Sequence, residues 1–100
     1  MTLSNDEKKH LRRLGHNLKP IVTVAGNGLN ENVIAELDRA LDDHELIKVK
    51  LAVGDRSAKA QIINAICEQL NALNVQTIGH MLLLLRRAKK PNPKLSNLLR

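Results

Sequence analysis

Hydrophobic residues change their spacing several times along the chain, and each change predicts a new element. Ser4 and Glu7 have the spacing of a capping box, and leucines at helical spacing follow them. Gly15 is a candidate helix end, so a helix is predicted over residues 5–15. The β-branched run IVTV at residues 21–24 then predicts a short buried strand.

A second amphipathic helix precedes the clearest strand of the chain. Asn30 can cap this helix, whose apolar residues keep a 3.6-residue spacing as far as His44. Residues 45–53 then alternate in polarity, which predicts a strand with Lys48 and Lys50 on one face. The opposite, apolar face consists of Ile47, Val49, Leu51 and Val53.

The remaining pattern predicts a third helix and a hairpin. Gly54 and Asp55 turn the chain into a helix with an apolar stripe, and two apolar runs then flank Gly79 and His80. The predicted order is a helix followed by βαβαββ. Strand–helix–strand connections make parallel neighbours and a hairpin adds an antiparallel strand, so we expect a two-layer α+β fold with a four-stranded mixed sheet.

The C-terminal residues differ in composition from the rest. Residues 89–100, KKPNPKLSNLLR, contain two prolines and several polar residues and are too few to form a core. We therefore predict one domain over residues 1–88 and a basic, flexible tail over residues 89–100.

Charge is distributed unevenly over the chain, which has a net charge of +6 and a pI near 9.9. All acidic residues lie before residue 86, and residues 86–100 are exclusively basic among their charged positions. Basic residues also cluster between residues 8 and 19, ahead of an acidic second helix. A dipolar, basic protein favours nucleic acid as its partner, although a solvated charged surface with a disordered tail would show the same pattern.

Several classes of chemistry lack the residues that they need. Cys67 is the single cysteine, the four histidines are dispersed, and no nucleophile has a recognisable base, so we expect no disulfide, metal, cofactor or enzymatic activity. The longest apolar run, MLLLL, is too short to span a bilayer, and the first residues lack the features of a secretory signal. We expect a cytoplasmic monomer without a membrane or small-molecule partner.

A glycine-containing turn joins the first strand to the second helix. In VTVAGNGLNENV, residues 22–33, the amides of the turn and of the helix start can face a phosphate. The turn lacks the Lys and Ser/Thr of a nucleoside triphosphate loop. A purely structural tight turn remains the alternative.

Residues 11–52, LRRLGHNLKPIVTVAGNGLNENVIAELDRALDDHELIKVKLA, resemble the CRM domain, an RNA-binding module of ribosome maturation and splicing, in its single-domain bacterial YhbY form. The segments LKPIV, NGL and HELIKVK carry the resemblance, which extends through NVQTIGHMLLLLRR. The resemblance implies a fold similar to the C-terminal domain of translation initiation factor three. It also implies binding to ribosomal RNA or to precursors of the large ribosomal subunit.

The family carries a GxxG loop at the strand-to-helix turn, and this chain departs from that pattern. Ala25 stands at the first glycine position, and a glycine follows one place later. The resemblance assigns Gly26, Asn27 and Gly28 to the RNA-binding loop. Charge and placement add a set of candidate phosphate contacts, although the strand lysines could instead lie under a helix. These candidates are Arg12, Arg13, Lys19, Lys48 and Lys50.

Overall fold

Three helices and four strands make up the part of the chain that the computed structural model describes, residues 3–25 and 28–99. In chain order they are α1 (Asn5–His16), β1 (Pro20–Val24), α2 (Glu31–His44), β2 (Leu46–Leu51), α3 (Arg56–Leu70), β3 (Leu73–Ile78) and β4 (Met81–Leu85). The predicted order of elements is confirmed, and the differences in their bounds are a few residues at most.

The predicted helix starts have the capping bonds that their sequences indicate. Ser4 Oγ accepts from the Glu7 amide at 3.1 Å, and the Ser4 amide donates to Glu7 Oε1 at 3.2 Å. These bonds, the backbone one first, hold the pKa of Glu7 below its usual range. Asn30 Oδ1 accepts from the Val33 amide at 2.9 Å, so α2 begins where the sequence predicts.

The four strands form one mixed sheet in the order β1-β2-β4-β3. β1 is parallel to β2, and the other two pairs are antiparallel. This arrangement confirms the predicted α+β fold with a four-stranded mixed sheet. The β3–β4 hairpin turns at Gly79, whose φ of +56° favours glycine.

Each face of the sheet has its own hydrophobic cluster. The larger cluster joins the sheet to α2 and α3 through fully buried side chains such as Leu41, Val49 and Ile66. The smaller cluster lies beneath α1 and includes Leu11, Leu46, Val75, Leu83 and Leu85. Strand β2 is therefore apolar on both faces at its start, and only Lys48 and Lys50 give it a polar stripe.

Gly15 does not end the first helix, so that part of the prediction is wrong. Helix α1 continues to His16, and Asn17 is the cap. Gly15 is buried, and a Cβ at this position would lie 2.6 Å from Leu83 Cδ2. The glycine is needed for the close approach of α1 to β4, a tertiary requirement that helix-end rules do not contain.

The flexibility of residues 89–100 remains a prediction. In the structure, residues 95–98 make contacts with earlier parts of the chain. The Asn97 amide donates to His44 O at 3.0 Å, and Asn97 Nδ2 donates to Leu46 O at 2.6 Å. Ser96 is fully buried, and its hydroxyl donates to Glu45 Oε1 at 2.7 Å. Glu45 is itself buried, so the bond from Ser96 gives its carboxylate a hydrogen-bond partner in place of water.

The Ser96–Glu45 contact predicts a stability effect for a conservative change. Ser96→Ala removes a charge-assisted bond to a buried carboxylate and should lower the free energy of unfolding by about 1.5–3 kcal/mol. Ser57→Ala is the matched control, because Ser57 is exposed in the first turn of α3, and it should change stability by less than about 0.5 kcal/mol. Chemical denaturation followed by circular dichroism measures both variants. Equal effects would show that the C-terminal segment is not held as the structure has it.

Candidate nucleic-acid interface

The sheet face beneath α1 is only partly covered. Near the β3–β4 hairpin, Lys50 pairs with Met81 and Met81 pairs with Ile78, which forms a row across three strands. Met81 lies two residues before Leu83, so the row is on the same face as the small cluster. Ile78 is 64% exposed, which is high for an isoleucine in a strand. The end of the sheet nearest the hairpin is thus accessible on this face.

A groove of about 570 Å³ lies between α1 and the accessible part of the sheet. Its wall carries basic side chains at positions 9, 12, 13 and 16, which share one side of a helix. Lys48 of β2 completes the basic lining, and strands β3 and β4 form the floor. The helix contributes Lys9, Arg12, Arg13 and His16, and the floor consists of Gln76, Ile78, Met81, Leu82 and Leu83.

The cations of the groove are available for an anionic ligand. Within residues 3–25 and 28–99, no carboxylate lies within 4.0 Å of the charged groups of Lys9, Arg12, Arg13 or Lys48. No acidic residue of that part of the chain lines the groove. Cations concentrated in a concave site raise the local potential and favour a polyanion there.

Arg86 differs from the arginines of the groove because it already has carboxylate partners. Its guanidinium donates to Asp38 Oδ1 at 2.8 Å and to Asp42 Oδ1 at 2.9 Å. It also donates to the carbonyl oxygens of Leu70 and Asp38. Arg86 therefore ties β4 to α2 and α3, and its charge is already neutralised by the acidic helix.

The structure brings part of the predicted site together. Arg12, Arg13 and Lys48 line the same groove, and Lys50 follows Lys48 on the same face of β2. Lys19 lines a neighbouring depression that also includes Lys48. The alternative in which a helix covers the strand lysines is wrong for Lys50, which is exposed, whereas Lys48 is half-buried beside α1.

The groove contains residues that the sequence interpretation did not assign to it. Lys9 and His16 could have been found, because they share the helical side of Arg12 and Arg13. The floor residues Gln76, Ile78 and Met81 had no sequence signal of their own. Their exposure depends on how far α1 extends over the sheet, which is a tertiary property.

The glycine turn lies only partly within the described residues, since Gly26 and Asn27 fall outside them. Gly28 has φ +85°, and its amide donates to Ala25 O at 2.9 Å, so the turn is tight. The Ala52 amide donates to Val24 O, and the Leu51 amide donates to His80 O. Ala25, at the start of the turn, is therefore at the same end of the sheet as the β3–β4 hairpin.

The rest of the described chain offers little other chemistry. No group of His, Cys, Asp and Glu suited to a metal ion occurs within residues 3–25 and 28–99. None of the helices described is long and apolar enough to cross a bilayer. Cys67 is half-buried, and burial raises the pKa of its thiol, which makes the thiolate scarce.

Two bacterial proteins resemble this chain over most of its length. A protein of Pseudomonas aeruginosa named as a probable RNA-binding protein is 49% identical over 100 residues, which cover 100% of this chain and 96% of the other. An RNA-binding protein of Haemophilus influenzae is 52% identical over 89 residues, covering 89% of this chain and 90% of its own.

A solved structure shares the fold. The solution structure of a Staphylococcus aureus protein, described as a hypothetical protein and RNA-binding candidate, superposes with a TM-score of 0.77 at 34% identity. The match covers 89% of this chain and 93% of that one. The CRS1 / YhbY (CRM) domain profile matches residues 3–86, which include every helix and strand described above. This chain is therefore a member of the CRS1 / YhbY (CRM) domain family.

Proposed function

We propose that this protein binds RNA with the open, basic part of its sheet face. The observation that carries the proposal is the set of cations in the groove between α1 and the sheet, none of which has a carboxylate partner in the described part of the chain. Such cations attract phosphates and displace their counterions. Relatives that are named as RNA-binding proteins support the same assignment.

The composition of the chain restricts how RNA is held. There is no Phe, Tyr or Trp, so the aromatic platforms on which many proteins stack bases are absent from the sequence. Contacts to phosphate and sugar therefore dominate, with Arg12, Arg13 and Lys48 in the groove and Lys19 and Lys50 beside it. The loop of Gly26, Asn27 and Gly28 is a further proposed phosphate contact, although the Gly28 amide itself donates to Ala25 O.

The proposed RNA is ribosomal RNA or a precursor of the large subunit, and the proposed role is to assist assembly without catalysis. This part of the proposal is supported by the sequence resemblance to the ribosome-associated form of the family. A second candidate function is a protein-interaction module on the ribosome. The acidic side of α2 supports it, since exposed Glu36 and half-buried Asp43 border a shallow depression that also includes Ile21 and Arg39.

Sedimentation of a bacterial lysate through a gradient tests the ribosomal assignment. We expect the tagged protein to migrate with large-subunit precursors at low salt. Raising the salt concentration should release it, because phosphate contacts weaken as counterions compete. Retention at high salt would favour the protein-interaction module, and migration at the top of a low-salt gradient would contradict association with ribosomal particles.

A further inference from the structure

The groove between α1 and the sheet combines a basic wall with a floor that is mostly apolar. Lys9, Arg12 and Arg13 form the wall, and Met81 and Ile78 lie on the floor. Met81 is half-buried and Ile78 is largely exposed, so both present aliphatic surface to a ligand. A surface that bound only phosphates would gain nothing from these side chains.

A paired RNA helix does not match this combination. Its accessible surface is phosphate, ribose and base edges, and its apolar base faces are stacked inside. An unpaired nucleotide differs, because its base has two apolar faces and a free hydrogen-bonding edge, while its phosphate remains charged. The aliphatic floor of the groove therefore suits the base of one unstacked nucleotide, and the cationic wall suits its phosphate.

Gln76 supplies the third feature of such a site. It pairs with Leu83 across β3 and β4 and lines the groove, half-buried, beside the apolar floor. A glutamine amide donates and accepts hydrogen bonds at the same time, which suits the edge of a base. The amide has no hydrogen-bond partner within the described residues, so it is available to a ligand.

The geometry points to a pocket for a single unpaired RNA nucleotide. Its base lies on Met81 and Ile78, the Gln76 amide contacts the base edge, and Arg12, Arg13 and Lys48 hold the flanking phosphates. The volume of about 570 Å³ falls within the range of about 300–1,000 Å³ found for small-ligand sites. This inference rests on the proposed function and specifies the RNA element that the groove selects.

A pair of RNA duplexes tests the pocket. One is fully paired, and the other is identical except for one bulged 2-aminopurine nucleotide. The chain has no Trp or Tyr, so the fluorescence of this base is measured without protein background. The parent protein should bind the bulged duplex about fivefold more tightly, at the lower end of stacking effects because the floor is aliphatic. The fluorescence should change on binding.

Two glutamine variants separate the pocket from general RNA binding. Gln76→Ala should lower the preference for the bulged duplex, because the base edge loses its partner while the floor of Met81 and Ile78 remains, and it should weaken binding of the bulged duplex more than binding of the paired one. Gln69→Ala is the matched control, since Gln69 is exposed on α3 across the sheet, and it should keep the preference. Thermal melts followed by circular dichroism confirm that both variants are folded.

Methyl spectroscopy gives a direct readout that needs no variant. The chain has two methionines, so carbon-13 methyl labelling gives two methionine signals, of which Met81 reports the floor. The bulged duplex should shift the Met81 signal and show contacts to base protons, and the paired duplex should not. Equal affinity for both duplexes with an unmoved Met81 signal would overturn the pocket and leave RNA binding standing. Failure to bind either duplex at low salt would overturn the proposed function as well.

Discussion

Val49→Asp is expected to abolish the cooperative folding of this domain, whereas Lys50→Asp leaves it folded. Val49 is fully buried in the cluster between the sheet, α2 and α3, and an aspartate there has no partner for its charge. An unpaired buried charge costs several kcal/mol, which is comparable with the whole stability of a small domain. We expect a loss of more than about 4 kcal/mol.

Lys50 is the matched control because it is the next residue of the same strand and is exposed on the opposite face. An exposed charge reversal there should change the free energy of unfolding by about 0.5 kcal/mol or less. Since the chain lacks aromatic residues, circular dichroism in increasing denaturant is the suitable measurement. Equal, small losses for the two variants would mean that β2 does not present these faces.

The fold could be predicted where local pattern and tertiary structure agree. The alternation of residues 45–53 identified β2, and glycine in the first position of a two-residue turn identified the β3–β4 hairpin. Residue spacing also placed Ser4 and Asn30 at helix starts. The caps and the turn are backbone requirements that select a residue type, and the alternation of β2 follows from burial of its side chains, so the sequence records each of them directly.

Where a residue serves a tertiary contact, local rules gave a different answer or none. Gly15 is a helix-end residue by local rules, but it allows the close packing of α1 on Leu83. Glu45 ends α2 with φ +62° and is buried, which no propensity for glutamate indicates. The fold supplies its partners, Ser96 Oγ and the Ala88 amide, from residues more than forty positions away.

The sequence predicted the charged residues of the candidate site but not the shape of the groove. Arg12, Arg13 and Lys48 were identifiable because a basic surface requires lysine and arginine. The apolar floor was not, since Met81 and Ile78 are ordinary strand residues until α1 leaves them uncovered. Among the predicted loop residues, the structure describes Gly28, where the turn is tight.

Reversing two charges in the groove should have the largest effect on RNA binding. Arg12→Glu combined with Arg13→Glu removes two cations from the wall and places two anions beside the proposed phosphate positions. Bonds between charged groups are the stronger kind, so affinity should fall by about 100-fold or more at moderate salt. The dependence of affinity on salt should also become less steep, because fewer counterions are released.

The most direct test of RNA binding by the groove compares this variant with Lys89→Glu combined with Lys90→Glu, which changes the net charge equally at exposed positions outside the groove. Affinity for large-subunit ribosomal RNA fragments is measured at two salt concentrations, with melting curves as the control for folding. We predict a loss of about 100-fold for the groove pair and of about threefold or less for the tail pair, whose exposed charges are screened. Equal losses for the two pairs would contradict the account, because binding would then follow net charge and not the groove.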